Sequence, residues 1–399
     1  MIEPSPNQLE IAKEAINWYH NSPSLTFQIS GNPGTGKSFL LHYIVDQLKI
    51  PPSLVCPMAY TGAAAIVMRS KGFTNAKTIH SSILEPVEDI RRKKDGSTLM
   101  NDYFNIPEMG VKFVPKYISR DEIKLFVIDE GMMVPKQMRS IIENYGIKCI
   151  VAGDVDQLPP VKYEPGYFMD GDIHYLTEIF RQGQSSGIIY LSQRLKRGLP
   201  IHQGYYGDCT VIYDDEVLPQ MILQADILIC AKNDTRQYLT DLVRKDIFKY
   251  GDGLPNHGER LVCRQNNWQL AIDGINLANG LMGEVSNYPD VTAIKKKIFK
   301  IDFKPIMLDK SFENLEVDFE YFKAHFKDKA KFKNRRFSQG EKLEYGYAIT
   351  THIAQGSEYS SGIYFQEYMN PNINNQLWYT GITRFRDNCI YVKRRRRFY

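Results

Sequence analysis

In the first part of the chain, short apolar runs alternate with longer segments in which apolar residues recur at helical spacing. The apolar runs at 25–30, 125–130 and 148–154 each lead into a polar or glycine-containing loop, as buried parallel strands do. Helical segments at 5–20 and 39–45 flank the first of these runs. Because strands that alternate with helices form parallel sheets, this pattern predicts an α/β fold.

A second strand–helix series begins near residue 210, and two stretches interrupt the rhythm of the chain. The series includes a strand at 226–231 and a last strand at 389–392. Residues 84–120 hold an Asp-Gly turn signal beside four positive charges, which predicts a small β-rich insertion. Residues 258–285 are β-rich, and residues 286–340 hold 13 Lys or Arg against 8 Asp or Glu. The last stretch predicts a second inserted domain, whose basic face either meets a nucleic-acid backbone or is merely solvated.

The composition is that of a globular protein with room for two or three domains. The 399 residues are 43% hydrophobic and 24% charged. No apolar run approaches the ~20 residues of a membrane span and the N-terminus has no signal pattern, so we expect a cytoplasmic protein. The six cysteines form no C-x-x-C motif and are interpreted as reduced, mostly buried thiols, not metal ligands. A net charge of +4 permits nucleic-acid binding without arguing for it.

The strongest chemical signal is the stretch GNPGTGKS at 31–38, between a predicted strand and a predicted helix. Its spacing is that of a phosphate-binding loop. Glycines let backbone N–H groups turn toward phosphate oxygens, and the helix N-terminus adds the positive end of its dipole. Lys37 is expected to reach the β- and γ-phosphates of ATP, and Ser38 to hold Mg²⁺. The residues predicted to bind nucleotide in this loop are Asn32, Pro33, Gly34, Thr35, Gly36, Lys37 and Ser38.

Paired carboxylates end the second apolar run, where a metal site at the carboxyl end of a parallel strand is expected. Asp129 is predicted to hold Mg²⁺, directly or through water, and Glu130 to polarise the water that attacks the γ-phosphate. The next strand runs into Gln157, which lies on a proline-fixed loop and can sense a γ-phosphate. Arg181 is a further candidate for a phosphate contact.

Three weaker signals each allow two interpretations. Gln8, before the first strand, offers both a donor and an acceptor to an adenine edge, or is an ordinary surface residue. The hydroxyl of Thr61 and the small residues after it suit a nucleic-acid phosphate at a helix start, or serve tight helix packing. The basic run 393–397 is a frayed terminus or a backbone contact.

Taken together and in order, these motifs resemble those of superfamily 1 DNA helicases of the 5′-to-3′ class, the RecD-like and phage Dda-type enzymes. The resemblance covers nearly the whole chain, and the segment 153–160 is its most class-specific part. The matching positions are Gln8, 31–38, 60–64, 78–81, 129–130, 153–160, Arg181, 232–234, 351–358 and 379–384. The chain departs from the family at Ile353, where lysine is frequent, and at 131–133 after the carboxylates. Neither departure removes a hydrolytic group.

The resemblance implies two tandem RecA-like P-loop domains with ATP in the cleft between them. The first domain carries a small β-hairpin insertion, and the second carries an SH3-like β insertion. The implied bounds are 1–83 and 121–195 for the first domain, 84–120 for its hairpin, 196–285 and 341–399 for the second domain, and 286–340 for its insertion. In this family single-stranded DNA crosses the top of both domains, and alternating grip moves the protein along the strand.

The resemblance also implies roles for individual residues. Arg181 and Arg384 correspond to arginine fingers that gain γ-phosphate contacts when the cleft closes. Gly356 and Glu358 correspond to nucleotide contacts. The implied DNA contacts are Tyr60, Thr61, Thr78, His80, Asn233, Thr351 and His352.

The predicted function is that of a monomeric, ATP- and Mg²⁺-dependent 5′-to-3′ DNA helicase. Its expected partners are single-stranded and forked DNA and replication or recombination proteins, with no membrane. The expected location is the cytoplasm of a bacterial or phage-infected cell. Phe104, with Tyr103 second, is the candidate for an aromatic side chain that splits the duplex at the hairpin tip. An RNA helicase on the same plan stays open because the motifs do not read the 2′-hydroxyl. A non-catalytic, ATP-switched nucleic-acid-binding module is the second alternative.

Overall fold

A computed structural model gives the structure of the protein, which folds into two six-stranded sheets, one five-stranded sheet and two hairpins within the described ranges. The structure describes residues 3–90, 109–159, 168–169, 171–180, 186–251, 253–306, 308–325, 327–329 and 340–395. In these ranges, none of the helices combines the length and the apolar character needed to cross a bilayer. The six cysteines are free thiols, and all except Cys56 are buried.

The described elements follow one another in chain order. The helices are α1 Pro6–Asn21, α2 Lys37–Leu48, α3 Gly62–Ser70, α4 Ile79–Ile83, α5 Lys136–Asn144, α6 Gly187–Lys196, α7 Pro219–Gln224, α8 Asn233–Asp241, α9 Phe319–Lys323, α10 Thr351–Ala354 and α11 Asn374–Ile382. The strands are β1 Thr26–Gly31, β2 Val55–Ala59, β3 Lys77–Thr78, β4 Leu84–Ile90, β5 Met109–Pro115, β6 Leu125–Asp129, β7 Lys148–Gly153, β8 Ile173–Leu176, β9 Gly204–Tyr206, β10 Cys209–Tyr213, β11 Ile227–Cys230, β12 Arg260–Cys263, β13 Asn267–Ile272, β14 Ile275–Leu277, β15 Met282–Val285, β16 Ile298–Pro305, β17 Phe312–Asp318, β18 Leu343–Tyr345, β19 Ala348–Thr350, β20 Tyr359–Phe365 and β21 Phe385–Lys393.

The first sheet is parallel and has the strand order β3-β2-β6-β7-β1-β8. Both of its faces are buried, and successive residues of β6 alternate between two cores. Leu125 and Val127 pack in one core, and Phe126 and Ile128 pack in the other. This double burial explains why the strand reads as a continuous apolar run. The carboxyl ends of β1, β6 and β7 meet at one edge, where binding sites of parallel sheets form.

The second sheet has the order β19-β11-β20-β21-β10-β9 and is parallel except for the edge strand β9. The apolar face of α6 packs into the core of this sheet through Ile188, Leu191 and Leu195. The predicted boundary at 195 places α6 with the first domain, whereas its buried face belongs to the second sheet. The domain boundaries otherwise stay a prediction, and the α/β architecture with parallel sheets is confirmed.

The five-stranded sheet is antiparallel and has the order β17-β16-β15-β12-β18. Of these strands only β16 and β17 lie inside the predicted insertion at 286–340. β12 and β15 precede this stretch in the sequence and β18 follows it. β12 pairs with both β15 and β18. The basic stretch therefore completes a sheet that begins at Arg260 and ends at Tyr345, and its SH3-like character stays a prediction.

Two hairpins extend from the sheets. The hairpin β4–β5 is antiparallel and lies inside the stretch 84–120 for which a β-rich insertion was predicted. Phe104 and Tyr103, the candidates for the duplex-splitting residue, lie outside the described residues. The hairpin β13–β14 packs against α3, where Ile275 shares a core with Ala64 and Ile66. This contact joins the first sheet and its helices to the antiparallel sheet.

Candidate active site

The loop between β1 and α2 has the backbone of a phosphate-binding loop. Gly34 has φ 84° and Gly36 has φ 78°, a left-handed conformation that side chains with a Cβ rarely adopt. The ammonium of Lys37 donates hydrogen bonds to the carbonyl oxygens of Gly31 at 2.7 Å and Asn32 at 3.3 Å. Because α2 begins at Lys37, the N–H groups of its first turn have no partner within the helix. The loop therefore concentrates donors and positive charge, which suits a triphosphate.

Gln8 braces this loop from outside the cleft. Its side-chain oxygen accepts a hydrogen bond from the backbone N–H of Ser5, as part of a capping box that starts α1. Its side-chain nitrogen donates to the carbonyl oxygen of Thr35 at 3.1 Å. Gln8 is 3% exposed and is not among the residues that line the cleft. The observed contacts give Gln8 a supporting role, and an adenine contact stays a prediction.

A cleft of about 710 Å³ lies between the first and second sheets, at the carboxyl edge of the first. A volume of this size falls in the range of small-molecule sites, roughly 300–1,000 Å³. Most of the predicted nucleotide and catalytic residues line it together. These are Pro33, Gly34, Gly36, Lys37, Ser38, Asp129, Glu130, Gln157, Glu358 and Arg384. The fold thus brings ten of the predicted residues, from five separate stretches of the chain, into one cleft.

The remaining predicted residues lie elsewhere. Asn32, Thr35 and Gly356 do not line the cleft. The hydroxyl of Thr35 donates to the carbonyl oxygen of Asn32 at 2.8 Å, so it shapes the loop from within. Gly356 has φ 77° and packs against α3, where an added Cβ would lie 2.9 Å from the Cβ of Ala64. Arg181, the first predicted arginine finger, lies outside the described residues.

The two carboxylates are held differently at the end of β6. Asp129 is 9% exposed, and its carboxylate accepts the backbone N–H of Glu130 at 2.9 Å. Glu130 has φ 54°, which turns the chain sharply after the strand. Burial raises the pKa of Glu130, and Arg384 opposes that rise most strongly because its guanidinium lies 3.8 Å from the Glu130 carboxylate. Lys37 and Lys71 also lower the pKa, whereas the charge of Asp129 raises it.

Oxygen ligands suitable for Mg²⁺ face the same cleft. Ser38 contributes a hydroxyl from the first turn of α2, and Asp129 contributes a carboxylate from the end of β6. Mg²⁺ binds proteins through one or two such oxygens together with water and substrate phosphates. The donor set of Ser38 and Asp129 therefore fits this ion.

The segment after β7 joins the two sheets through buried hydrogen bonds. The hydroxyl of Tyr379 on α11 donates to the carboxylate of Asp154 at 2.7 Å. The backbone N–H of Leu158 donates to the Thr380 hydroxyl at 2.9 Å, and the Gln355 side chain donates to the Leu158 carbonyl oxygen at 2.7 Å. Burial and the charge of Asp154 raise the pKa of Tyr379, so the phenol stays protonated as a donor. These bonds seat the second domain on the loop that carries Gln157.

We expect Tyr379→Phe to lower the melting temperature by several degrees, because it leaves the buried Asp154 carboxylate without one of its donors. A hydrogen bond to a charged group contributes about 1.5–3 kcal/mol. Differential scanning calorimetry measures the effect, and Tyr205→Phe, at a hydroxyl-bearing ring that is 78% exposed, is the matched control. A melting temperature equal to that of the unmodified protein would show that this bond does not hold the domains together.

Two of the predicted DNA contacts, Tyr60 and His80, belong to an aromatic cluster that does not line the cleft. The ring of His80 stacks on Trp268 of β13, with centroids 4.8 Å apart, and lies 5.9 Å from the ring of Tyr60. Phe113 of the β4–β5 hairpin meets Trp268 edge to face at 5.2 Å. Burial lowers the pKa of His80, so the ring is favoured in its neutral form. Aromatic faces of this kind can stack on nucleic-acid bases.

The other predicted DNA contacts are engaged in local structure. The hydroxyls of Thr61 and Thr78 cap α3 and α4. The side chain of Asn233 accepts a hydrogen bond from Arg236. Thr351 is fully buried and donates to the Cys230 carbonyl oxygen, so its side chain has no access to a strand. His352 is partly buried, which lowers its pKa.

Several cleft residues were missed by the sequence prediction. They are Phe39, Lys71, Phe180, Thr383, Arg386 and Asp387. Thr383 stands inside a quoted motif, and Phe180 immediately precedes Arg181, so proximity to motifs could have indicated both. Lys71 follows α3 in a stretch without any motif, and only the folded chain brings it to the cleft. The carboxylate of Glu367 was also missed; it accepts the backbone N–H groups of Ala231 and Lys232 just before α8.

The first half of the chain matches a known protein family. The family described as "AAA domain" matches residues 5–209, which is just over half of the protein. The chain therefore belongs to the AAA domain family. An uncharacterized protein of Methanocaldococcus jannaschii, MJ1519, is 22% identical over an alignment of length 440 that covers 91% of this chain. The chain spans 36% of the length of that relative.

Solved structures match the chain over nearly its full length. A structure of two coordinating Pif1 helicases at forked double-stranded DNA has a TM-score of 0.56 at 17% identity and covers 98% of this chain and 92% of that one. Bacteroides Pif1 bound to single-stranded DNA has a TM-score of 0.55 at 16% identity, with the same coverage. Candida albicans Pif1 has a TM-score of 0.50 at 17% identity, covering 98% and 95%. The protein shares the two-domain RecA-like fold of these helicases, which confirms the predicted fold class.

Proposed function

We propose that the protein is an ATP-dependent helicase that moves 5′-to-3′ along single-stranded DNA and unwinds duplex DNA. The observation that carries this proposal is the convergence of Lys37, Glu130 and Arg384 on one cleft between two RecA-like sheets. Lys37 starts α2 and Glu130 follows β6, both in the first domain, whereas Arg384 directly precedes β21 of the second. A hydrolytic site split in this way makes the distance between the domains depend on the nucleotide.

In the proposed hydrolysis, Glu130 accepts a proton from the water that attacks the γ-phosphorus. The bond between that phosphorus and the oxygen bridging to the β-phosphate breaks, and ADP leaves with the bridging oxygen. Lys37 and Arg384 neutralise the charge on the transferred phosphoryl group. Gln157, on the loop after β7, is placed to orient the water. Ser38 and Asp129 would hold Mg²⁺, which would supply charge neutralisation at the phosphates.

Arg384 couples hydrolysis to movement in this proposal. Arg384 is 3% exposed, and its guanidinium donates to the carbonyl oxygens of Thr380 and Ser357 in the second domain. The γ-phosphate offers it a stronger partner across the cleft, and loss of that phosphate removes the contact. Opening and closing of the cleft then shifts the second domain relative to the first along the strand.

We propose that the strand passes the aromatic cluster of Tyr60, His80 and Trp268, where bases can stack. The resemblance to superfamily 1 supports DNA as the substrate and 5′-to-3′ as the direction. We further propose that the enzyme acts in the cytoplasm as a monomer on single-stranded and forked DNA, alongside replication or recombination proteins. The β4–β5 hairpin is the proposed separator of the duplex.

We expect the basic stretch of the antiparallel sheet to contact the DNA backbone without sequence preference. Lys295 and Lys296 lie exposed on a single 3₁₀ turn, whereas Lys297 is paired with Glu320 at 2.7 Å. Replacing all three lysines with glutamine should lower the slope of log affinity against log salt by about 0.7 for each lysine that contacts a phosphate. Fluorescence anisotropy of labelled oligonucleotides at several salt concentrations measures this slope. An unchanged slope would mean that this face is merely solvated.

The proposed activity is tested by steady-state ATP hydrolysis with no nucleic acid, with single-stranded DNA and with single-stranded RNA. Single-stranded DNA is expected to stimulate turnover more strongly than RNA. Greater stimulation by RNA would favour an RNA helicase on the same plan. Nucleotide binding without hydrolysis under any condition would favour a non-catalytic, ATP-switched binding module.

A further inference from the structure

Lys71 places a positive charge in the cleft that no motif accounts for. It follows the last residue of α3 and lines the cleft beside Asp129 and Glu130. Its ammonium contacts the carboxylate of Glu358 at 2.6 Å. Burial lowers the pKa of Lys71, but Glu358, Asp129 and Glu130 outweigh that effect and raise it, so the side chain is charged. Its ion pair with Glu358 fixes the position of this ammonium, while the charges of Asp129 and Glu130 act on it from further away.

The Lys71–Glu358 pair joins the two halves of the site. Lys71 belongs to the first domain, and Glu358 directly precedes β20 of the second sheet. The two residues are 287 positions apart in the chain. The Lys71 side chain is 33% exposed and that of Glu358 is 41% exposed, so the pair lies at the mouth of the cleft. It leaves the cleft volume of about 710 Å³ open to a nucleotide.

The segment that carries Glu358 also holds Arg384. The Arg384 guanidinium donates to the carbonyl oxygen of Ser357 at 3.3 Å. On the other side of Glu358, the backbone N–H of Tyr359 donates to the Arg384 carbonyl oxygen at 2.9 Å. Glu358 is therefore flanked by two residues that are bonded to Arg384. A change in the position of the Glu358 side chain therefore also shifts the residues that are bonded to Arg384.

We propose that Lys71 is a positioning residue for Arg384: by pairing with Glu358 across the cleft, it fixes the segment 357–359 and so holds Arg384 over Glu130. This inference rests on the proposed ATP hydrolysis. Lys71 needs no contact with the reacting atoms, because its effect passes through Glu358. The consequence is a loss of turnover, with little loss of nucleotide affinity, when the pair is broken.

The test compares Lys71→Met, Glu358→Gln and the double variant in DNA-stimulated ATP hydrolysis. Lys71→Met is expected to lower kcat about fivefold to tenfold, less than the roughly 10²-fold that a 1 Å misplacement can cost. The double variant is expected to lose no more than the larger single loss, because both changes break one contact. Lys71→Arg, which retains the ion pair, should recover most of the turnover. Affinity for a fluorescent ATP analogue should change less than twofold in Lys71→Met.

A matched control is Lys124→Met, which removes a surface lysine paired with Asp121 at 3.0 Å and should leave kcat unchanged. Losses that multiply in the double variant would show that Lys71 acts directly on Glu130 or the phosphates and would overturn the positioning role. So would a Lys71→Met enzyme with unaltered kcat. If the unmodified protein hydrolyses no ATP, the proposed function itself fails, which is distinct from either of these results.

Discussion

Replacing Lys37 with alanine is expected to abolish measurable ATP hydrolysis and duplex unwinding while single-strand binding persists. The Lys37 ammonium donates hydrogen bonds to two carbonyl oxygens of the loop. Its positive charge is the one expected to contact the β- and γ-phosphates. Loss of a single transition-state donor costs roughly 10²–10³ in kcat in other hydrolases, and Lys37 also binds the ground state. Steady-state phosphate release and oligonucleotide anisotropy measure the two activities separately.

Lys13→Ala is the matched control for this variant, since Lys13 is an exposed lysine on α1 away from the cleft. Its turnover should equal that of the unmodified protein. Near-normal hydrolysis by Lys37→Ala would refute the assignment of residues 31–38 as the phosphate-binding loop. Parallel loss of hydrolysis and of strand binding would instead point to a damaged fold.

Arg384→Ala is expected to lower turnover on the order of 10³-fold, as removal of an arginine finger does in other phosphoryl-transfer enzymes. The variant should also shift the pH dependence. Arg384 lowers the pKa of Glu130 against the effect of burial, so its removal raises that pKa further. Because Glu130 must be a carboxylate to accept a proton, the rising limb of the kcat–pH profile should move to higher pH.

Arg386→Ala is the comparison for this second variant. Arg386 also reaches the cleft, but its guanidinium is bonded to Asp387 and Ser360. Its loss should reduce turnover far less than loss of Arg384. An Arg384→Ala enzyme with near-normal DNA-stimulated turnover would mean that this arginine only supports the segment it is bonded to. A low turnover with an unmoved pH profile would separate phosphate stabilisation from the tuning of Glu130.

The parts of the site that were predictable from sequence are those that short, contiguous motifs specify. The stretch 31–38 and the pair Asp129 and Glu130 each follow an apolar strand, and parallel strands bring their carboxyl ends to one edge. Arg384 could be placed in the same cleft only through the resemblance to helicases. Nothing in its local sequence distinguishes it from a surface arginine.

The rest depended on contacts between distant parts of the chain. The ion pair of Lys71 with Glu358 has no local signature, and neither does the contact of Gln8 with the loop. The burial of Thr351 follows from its position at the carboxyl end of the second sheet, which its own motif does not reveal. The antiparallel sheet was predicted too narrowly because its first strands precede the basic stretch and its last strand follows it.

Unwinding of forked duplex DNA tests the central proposal most directly. The substrates carry a single-stranded tail on the 5′ side, on the 3′ side or on both, and strand separation is followed with and without ATP. The proposed function predicts separation of substrates with a 5′ tail, only with ATP, and little separation of those with a 3′ tail alone. Preference for the 3′ tail would contradict the direction, and robust DNA-stimulated ATP hydrolysis without any strand separation would contradict the assignment as a helicase.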